Sequence, residues 1–300
     1  MGKISLQHRL EYWGYLLIEK AICSLPDAVL PYIGRFLAFL AFYVVKIRRQ
    51  VTLDNLRIAF PEQSHQWYKK TAFKTYCHFA QLILEFMKMN VWSPEKIRHK
   101  VQILNGQELL KNFKNGKRVI LISGHFGNWE MGIGLFHTFG EKTAVIQQRQ
   151  NNLLVNERMK KLREKWGMKI IYPRGAVRNC EQALSEGYNV GLLGDQDAGD
   201  RGVYVPFFGK MSSSHVGAAV LHLRTGAPMF FIACPRVDRQ KIILECHRLP
   251  DYAGEEITED KIKKIIACYF TYLENSIRQF PEQYFWMHRR WKSTINSNSS

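Results

Sequence analysis

Acidic residues are scarce in this chain: 26 aspartates and glutamates stand against 43 lysines and arginines, a formal net charge of +17. Such a surface calls for acidic company, whether nucleic acid, anionic lipid head groups or an acidic carrier protein. Cysteine is sparse as well. Its 6 copies are scattered, with no CxxC pair and no His/Cys cluster at zinc spacing, so they read as reduced core thiols on the cytoplasmic side. The sequence also lacks a GxSxG elbow, an HExxH helix, a GxxxxGK[ST] loop and a GxGxxG turn after a strand. Serine-nucleophile, zinc-hydrolase, nucleoside-triphosphate and dinucleotide chemistries thereby lose their usual footing, and neither a metal nor a cofactor is expected. No secretory signal, internal repeat or low-complexity linker is evident.

Long unbroken apolar runs are missing too. The nearest is "AVLPYIGRFLAFLAFYVV", Ala28 to Val45, close to the lower limit of about 17 to 25 residues for a spanning helix, yet interrupted by Pro31 and Arg35. An arginine at mid-bilayer costs at least roughly 3 kcal/mol on insertion scales. Spanning, interfacial embedding and burial as an ordinary helix all stay open. Lys46, Arg48 and Arg49 follow, and would hold the next domain on the cytoplasmic face if the segment inserts. The expected organisation is a membrane-associating helical segment over 1–45, one domain over 46–292 and a flexible tail over 293–300.

What the chain has in quantity is core material, with 300 residues that are 46% hydrophobic. Trp67, Phe73, Cys77, Ala80, Leu84 and Met87 recur at helical spacing within Ser64 to Met89. Beyond them, β-rich runs at 118–123, 143–148, 169–172, 189–194, 228–233 and 241–247 alternate with helical stretches that end in glycine, and a long amphipathic helix is expected over 257–280. This pattern predicts an α/β domain with a mostly parallel central sheet flanked by helices.

One corner of that layout carries chemistry. In "LISGHFGNWE", Leu121 to Glu130, a buried strand ends at Gly124-His125 and a helix starts near Asn128. This is the carboxyl edge of the sheet, where α/β proteins bind ligands. Glycines 124 and 127 permit tight turning, and the first helical N–H groups would face the same space, able to hold an oxyanion or a phosphate. If His125 precedes the helix and Glu130 lies in its first turns, the carboxylate can orient the ring while the free nitrogen takes a proton from a hydroxyl. The alternative is a capped corner with Glu130 as surface charge.

Three motifs in order sharpen this. "SGHFGNWE", "GDQDAGDRGVYVPFFGK" (Gly194 to Lys210) and "PEQYFWMHRRWK" (Pro281 to Lys292) resemble the bacterial lipid A late acyltransferases, the lauroyl/myristoyl transferases within the wider lysophospholipid acyltransferase group; "RRQVTLDNLRIAFPEQS" (Arg48 to Ser64) resembles that family's entry segment. The resemblance implies an inner-membrane enzyme, its catalytic domain on the cytoplasmic face, that moves a fatty acyl chain from acyl carrier protein or coenzyme A to a hydroxyl of a lipid A precursor. The family's H-x4-D/E motif falls on His125 and Glu130, as base and orienting carboxylate.

Asp195 and Gln196 match the family's DQ motif and are expected to bind or orient polar groups of the substrate, as is Asn128. Arg149, Arg163 and Arg174 are candidates to clamp a phosphate or phosphopantetheine. "VPFFG" either lines an acyl groove or packs in the core. "QYFWMHRRWK" either sits at the membrane interface or packs back under the active site. Another glycolipid acceptor, such as a phosphatidylinositol mannoside, is the nearest alternative activity. A basic membrane- or nucleic-acid-binding module without catalysis is the alternative of a different class; the preferred reading assigns no nucleic acid.

Overall fold

The computed structural model of the chain describes residues 5–239 and 241–297. The expected N-terminal segment and tail therefore reach outside the described residues at 1–4 and 298–300.

The first helix, α1 (Leu6–Ser24), begins where the Ser5 hydroxyl accepts the His8 N–H. A 3-10 turn leads into α2 (Leu30–Phe39), which carries Pro31 in its first turn and runs on into a π-turn over Leu40–Val44. Next come α3 (Arg49–Ala59) and α4 (His65–Lys88), the latter capped by Ser64. Of the positions expected to face the core from α4, Leu84 and Met87 are fully buried, while Trp67, Phe73, Cys77 and Ala80 pack partly buried against it.

Among the described residues, Asp27–Val44 is the helical run long and apolar enough to cross a membrane. It is already committed on one side. Leu30, Gly34 and Ala38 are buried, and a Cβ at Gly34 would stand 3.3 Å from the backbone nitrogen of Gln81 in α4. Tyr32, Phe36, Phe39 and Tyr43 remain exposed on the outer side, with the Arg35 guanidinium drawn over the Phe73 ring at 5.4 Å.

The rest alternates as expected: α5 (Pro94–Lys100), β1 (Val101–Leu104), α6 (Gln107–Lys114), β2 (Ile120–Ser123), α7 (Trp129–His137), β3 (Thr143–Ile146), α8 (Leu153–Lys165), β4 (Met168–Ile171), α9 (Ala176–Ser185) and β5 (Asn189–Leu193). A hairpin, β6 (Val203–Phe207) and β7 (Lys210–Ser214), precedes α10 (Gly217–Thr225), β8 (Met229–Ala233), β9 (Ile242–Arg248), α11 (Glu259–Gln279) and α12 (Lys292–Ser297). The 7-stranded sheet has the order β1-β9-β8-β2-β5-β3-β4, with every pairing parallel except β8 against β9. The mixed α/β architecture with a mostly parallel sheet is the expected one.

Strand alternation splits the core into two layers. Ile120, Ile122, Val190 and Leu192 face α9, α10 and α11, whereas Leu121, Met168, Phe230 and Ile232 face α7 and α8. Within "VPFFG", Val205 and Phe207 are buried, and Phe207 packs against Phe270, Tyr284 and Trp291, so core packing is the reading that holds.

Both ends of the described chain are tied to the domain. α1 is fastened to α8, since Asn152 Nδ2 donates to the His8 carbonyl (2.8 Å) and to Glu11 (2.9 Å), and Arg158 Nε meets the buried Glu19 at 2.8 Å. The N-terminal segment is thus built onto the domain. At the other end, Ser293 bonds Asp197 through both its N–H (3.1 Å) and its hydroxyl (2.7 Å), and Thr294 Oγ1 donates to the Met211 carbonyl. The tail expected from residue 293 begins in an anchored helix.

Candidate active site

The corner between β2 and α7 is shaped by what its glycines omit. Gly127 has φ of +64°, and a Cβ there would lie 2.1 Å from the Cys234 carbonyl oxygen, so no other residue fits without moving backbone. At Gly124 a Cβ would approach the Asp195 carboxyl carbon to 3.2 Å and Leu273 to 2.8 Å. Its absence lets the loop after β5 close on the loop after β2.

That closure sets the His125 ring. Its Nδ1–H donates to Asp195 Oδ1 at 2.8 Å, and its backbone N–H donates to Oδ2 at 2.9 Å. Both carboxylate oxygens of one buried aspartate therefore hold one histidine. Burial raises the Asp195 pKa, but its electrostatic interaction with His125 and these two hydrogen bonds outweigh it and bring the carboxyl down to about 2. With Nδ1 committed, Nε2 carries the lone pair. Trp129 meets the ring edge-on at 5.4 Å, and Gln196 Nε2 makes a long 3.4 Å contact with Nε2. The ring is 23% exposed, enough to meet a substrate.

The carboxylate expected to orient His125 does something else. Glu130 forms a two-point ion pair with Arg163 of α8 (Oε2 to Nε 3.2 Å, Oε1 to Nη2), and Arg163 Nη1 also bonds Gln147 Oε1. Burial disfavours the guanidinium charge, yet the Glu130 carboxylate raises the Arg163 pKa above its ordinary value. The arrangement has a geometric cause. Glu130 is the second residue of α7 and projects toward α8, whereas Asp195 leaves the adjacent strand β5 directly beneath the ring. Arg163, expected as a phosphate clamp, is committed to this pair.

The helix start is also less open than expected. The N–H groups of Phe126, Gly127 and Asn128 donate to the carbonyls of Gly124, Gln283 and Cys234, which removes them as oxyanion donors. Asn128 is buried. Its Oδ1 caps α7 by accepting the Met131 N–H, and its Nδ2 donates to Glu85 at 2.7 Å. It holds the corner's shape from a position closed to solvent.

Two cavities reach His125, one on each face of the sheet. The first, about 230 Å³, runs between the sheet and α7/α8, with the Glu130–Arg163 pair in its wall and Leu121, Ile133, Met168 and Gly191 deeper in. The second, about 360 Å³, lies toward α9 and α10 and is lined by Val177, Cys180, Gln196 and His215 among others. Arg149 and Arg174 are exposed on the loops after β3 and β4, beside residues of the cavity mouths: Gln148 and Gln150 in one case, Pro173 in the other.

"QYFWMHRRWK" packs beneath the site. Trp286, Arg290 and Trp291 are buried, and Arg290 donates to the Ser213 carbonyl and to the hydroxyls of Ser212 and Ser214. His288 Nε2 accepts the Asp197 N–H at 3.0 Å, and burial lowers its pKa to about 4, so the ring is neutral. Tyr269 donates to the Gly194 carbonyl at 3.0 Å and Tyr284 lies 3.5 Å from that of Asp195, bracing the carboxylate that holds His125.

The chain is 27% identical to the Escherichia coli lipid A biosynthesis lauroyltransferase over 91% of this chain and 88% of that one. It is 26% identical to the palmitoleoyltransferase of the same organism, over 92% and 89%. A phosphatidylinositol mannoside acyltransferase of Mycolicibacterium smegmatis is 25% identical over 52% of this chain and 53% of its own. Among solved structures, the 1-acyl-sn-glycerophosphate acyltransferase PlsC from Thermotoga maritima covers 84% of this chain and 98% of its own, at a TM-score of 0.40 and 16% identity. The family model described as bacterial lipid A biosynthesis acyltransferase matches residues 2–293, and the chain, a member of that family, is an O-acyltransferase.

Proposed function

We propose that this enzyme moves a fatty acyl chain from a thioester, carried by acyl carrier protein or coenzyme A, to a hydroxyl of a lipid A precursor, with His125 as general base. The observation that carries this is the ring of His125, held through Nδ1 by a buried carboxylate and lining a cavity on each face of the sheet. Nε2 takes the hydroxyl proton as the oxygen attacks the thioester carbonyl. The tetrahedral intermediate then expels the thiolate, which leaves as a thiol with the proton returned by the imidazolium. Asp195 stabilises that imidazolium and prevents the ring from turning, as the third member of a triad does.

The remaining roles follow from position. Gln196 is the side-chain donor beside the reacting atoms. Arg149 and Arg174, exposed at the rim, meet the phosphates of the acceptor or of phosphopantetheine. Glu130 and Arg163 hold α7 against α8 and keep the first cavity open.

For the membrane the reading is interfacial. α1 presents Leu6, Leu10, Trp13 and Leu17 to the outside, and the run after it presents Tyr32, Phe36, Phe39 and Tyr43, while both inner faces are fastened to the domain. Such helices lie in the head-group plane, and the net charge of +17 favours an anionic leaflet. In cells this is the cytoplasmic face of the inner membrane, where thioester donors are found.

The deciding experiment supplies purified enzyme with acyl carrier protein thioesters and, separately, with acyl-coenzyme A, against a lipid A precursor and a phosphatidylinositol mannoside. Mass spectrometry of the lipid product gives the added acyl group and the acylated position. Transfer only to the mannoside would replace the acceptor proposed here.

A further inference from the structure

The first cavity bottoms out against a residue that has no side chain. Gly191 sits inside β5, level with Leu121 of β2 and Val145 of β3, and all three face the cavity. Glycine inside a strand weakens it and often marks a place where a ligand approaches the backbone closely. We propose that Gly191, with Met168 below it, sets the length of the acyl chain this enzyme transfers, by forming the floor of the cavity that holds the chain. The inference rests on the acyl-transfer reading and adds a substrate length to it.

The register supplies the ruler. His125 lies four positions after Leu121, just past the end of β2, and Asp195 four positions after Gly191, just past the end of β5, so at the rise of a strand the floor lies about 13 Å from the reacting centre, the extent of a saturated chain of roughly ten to twelve carbons. Met168 pairs with Thr143, two residues below Val145 on the same strand face, and closes the bottom. A Cβ at position 191 would stand 3.3 Å from Val145 Cγ1 and 3.4 Å from both Ile133 Cδ1 and Thr143 Cγ2. Those neighbours are side-chain tips, so a methyl group fits by displacing Val145 and Ile133, two of the side chains that line the cavity. Anything larger grows back up the cavity into the volume a chain end would fill.

The opposite cavity competes for the same occupant. Its mouth is shared with Gln196 and His215, but its residues project from the other sheet face, so the two assignments separate by mutation.

The test uses full-length enzyme in two assays, each over even-numbered saturated chains of eight to sixteen carbons: transfer from acyl carrier protein thioesters, and thermal-shift binding of the free fatty acids. Wild type is expected to prefer ten to twelve carbons. Gly191→Ala and Gly191→Val shift both profiles about two carbons shorter, with a loss of roughly tenfold or more at the wild-type optimum, the discrimination one methylene commonly gives. Met168→Ala shifts them longer. Val177→Phe, in the opposite cavity, leaves chain length unchanged. Profiles unmoved by Gly191→Ala and Met168→Ala, or moved by Val177→Phe instead, overturn the proposal. Wild-type enzyme that transfers no chain of any length refutes the acyl-transfer reading, and the binding series still reports whether residue 191 is the floor.

Discussion

Asp195 grips His125 at two points, with Oδ1 on the ring nitrogen and Oδ2 on the backbone N–H, so one carboxylate fixes both the position and the tautomer of the same residue. His125→Ala is expected to lower acyl transfer by about 10²- to 10⁴-fold, the usual contribution of a positioned base. Its melting temperature stays within a few degrees of wild type, since the ring is partly exposed and packs in no core. Near-normal turnover by folded His125→Ala protein refutes the base assignment.

Asp195→Asn tests the partner separately. The amide can still accept the backbone N–H, but it no longer stabilises an imidazolium and it permits the wrong tautomer. We expect a kcat loss of about 10²-fold or more with KM little changed. A variant with wild-type kcat would reduce Asp195 to a structural brace.

Glu130 behaves differently. Glu130→Ala leaves Arg163 buried without its carboxylate, and breaking a buried pair in this way costs about 3 to 5 kcal/mol. Denaturant unfolding should show this loss, and Glu130→Gln combined with Arg163→Met should recover much of it. If Glu130→Ala retains wild-type stability while abolishing turnover, the residue acts on the chemistry directly.

The histidine beneath the site gives a pH prediction. Burial lowers the His288 pKa to about 4 from the ordinary 6.5, against the pull of Asp195. Between those values the unfolded chain binds a proton that the folded one does not, so stability falls as pH drops from about 6.5 to 4. His288→Gln keeps an acceptor for the Asp197 N–H and removes the titration. Its melting temperature should decline less steeply across that window, as thermal melts at half-unit pH steps would show. An unchanged slope assigns the acid sensitivity elsewhere, with buried His78, held down to about 3 by its burial, the next candidate.

Lipid contact is tested by replacing Leu10, Trp13 and Leu17 together with lysine. Apolar insertion is worth about 0.8 kcal/mol per buried methylene, so binding to anionic vesicles should drop by more than tenfold even though three positive charges are added. Unchanged or tighter binding would show that charge alone holds the protein to the bilayer.

Much of the fold was legible because its strands are short apolar runs bounded by turn residues. "RVILIS" and "NVGLLG" could scarcely be anything but buried parallel strands, and they are β2 and β5. Two features hid. β1 is only "VQIL" directly after a basic helix, and the β6–β7 hairpin carries Pro206 and three serines, which look like a loop until Arg290 is seen to bond Ser212, Ser213 and Ser214. Within the site, His125 and Glu130 were visible because they share one motif, but which carboxylate meets the ring was not. That depends on β2 lying beside β5, which brings together residues 70 positions apart, and no spacing within the motif encodes it. The DQ pair offered the signal, since a carboxylate two residues past a buried strand opens onto the same edge as the histidine.

The bolts between α1 and α8 join the helix proposed to meet lipid to the roof of the cavity proposed to hold the acyl chain. Anchor and catalyst are consequently one mechanical piece: stripping the first 45 residues would bare Leu84 and Met87, strand Asn152 and Arg158 without their partners, and loosen the helix that carries Arg163. Solubilising this enzyme by amputation should therefore cripple it, and detergents that crowd α1 should change how firmly the cavity grasps the fatty chain it is proposed to hold.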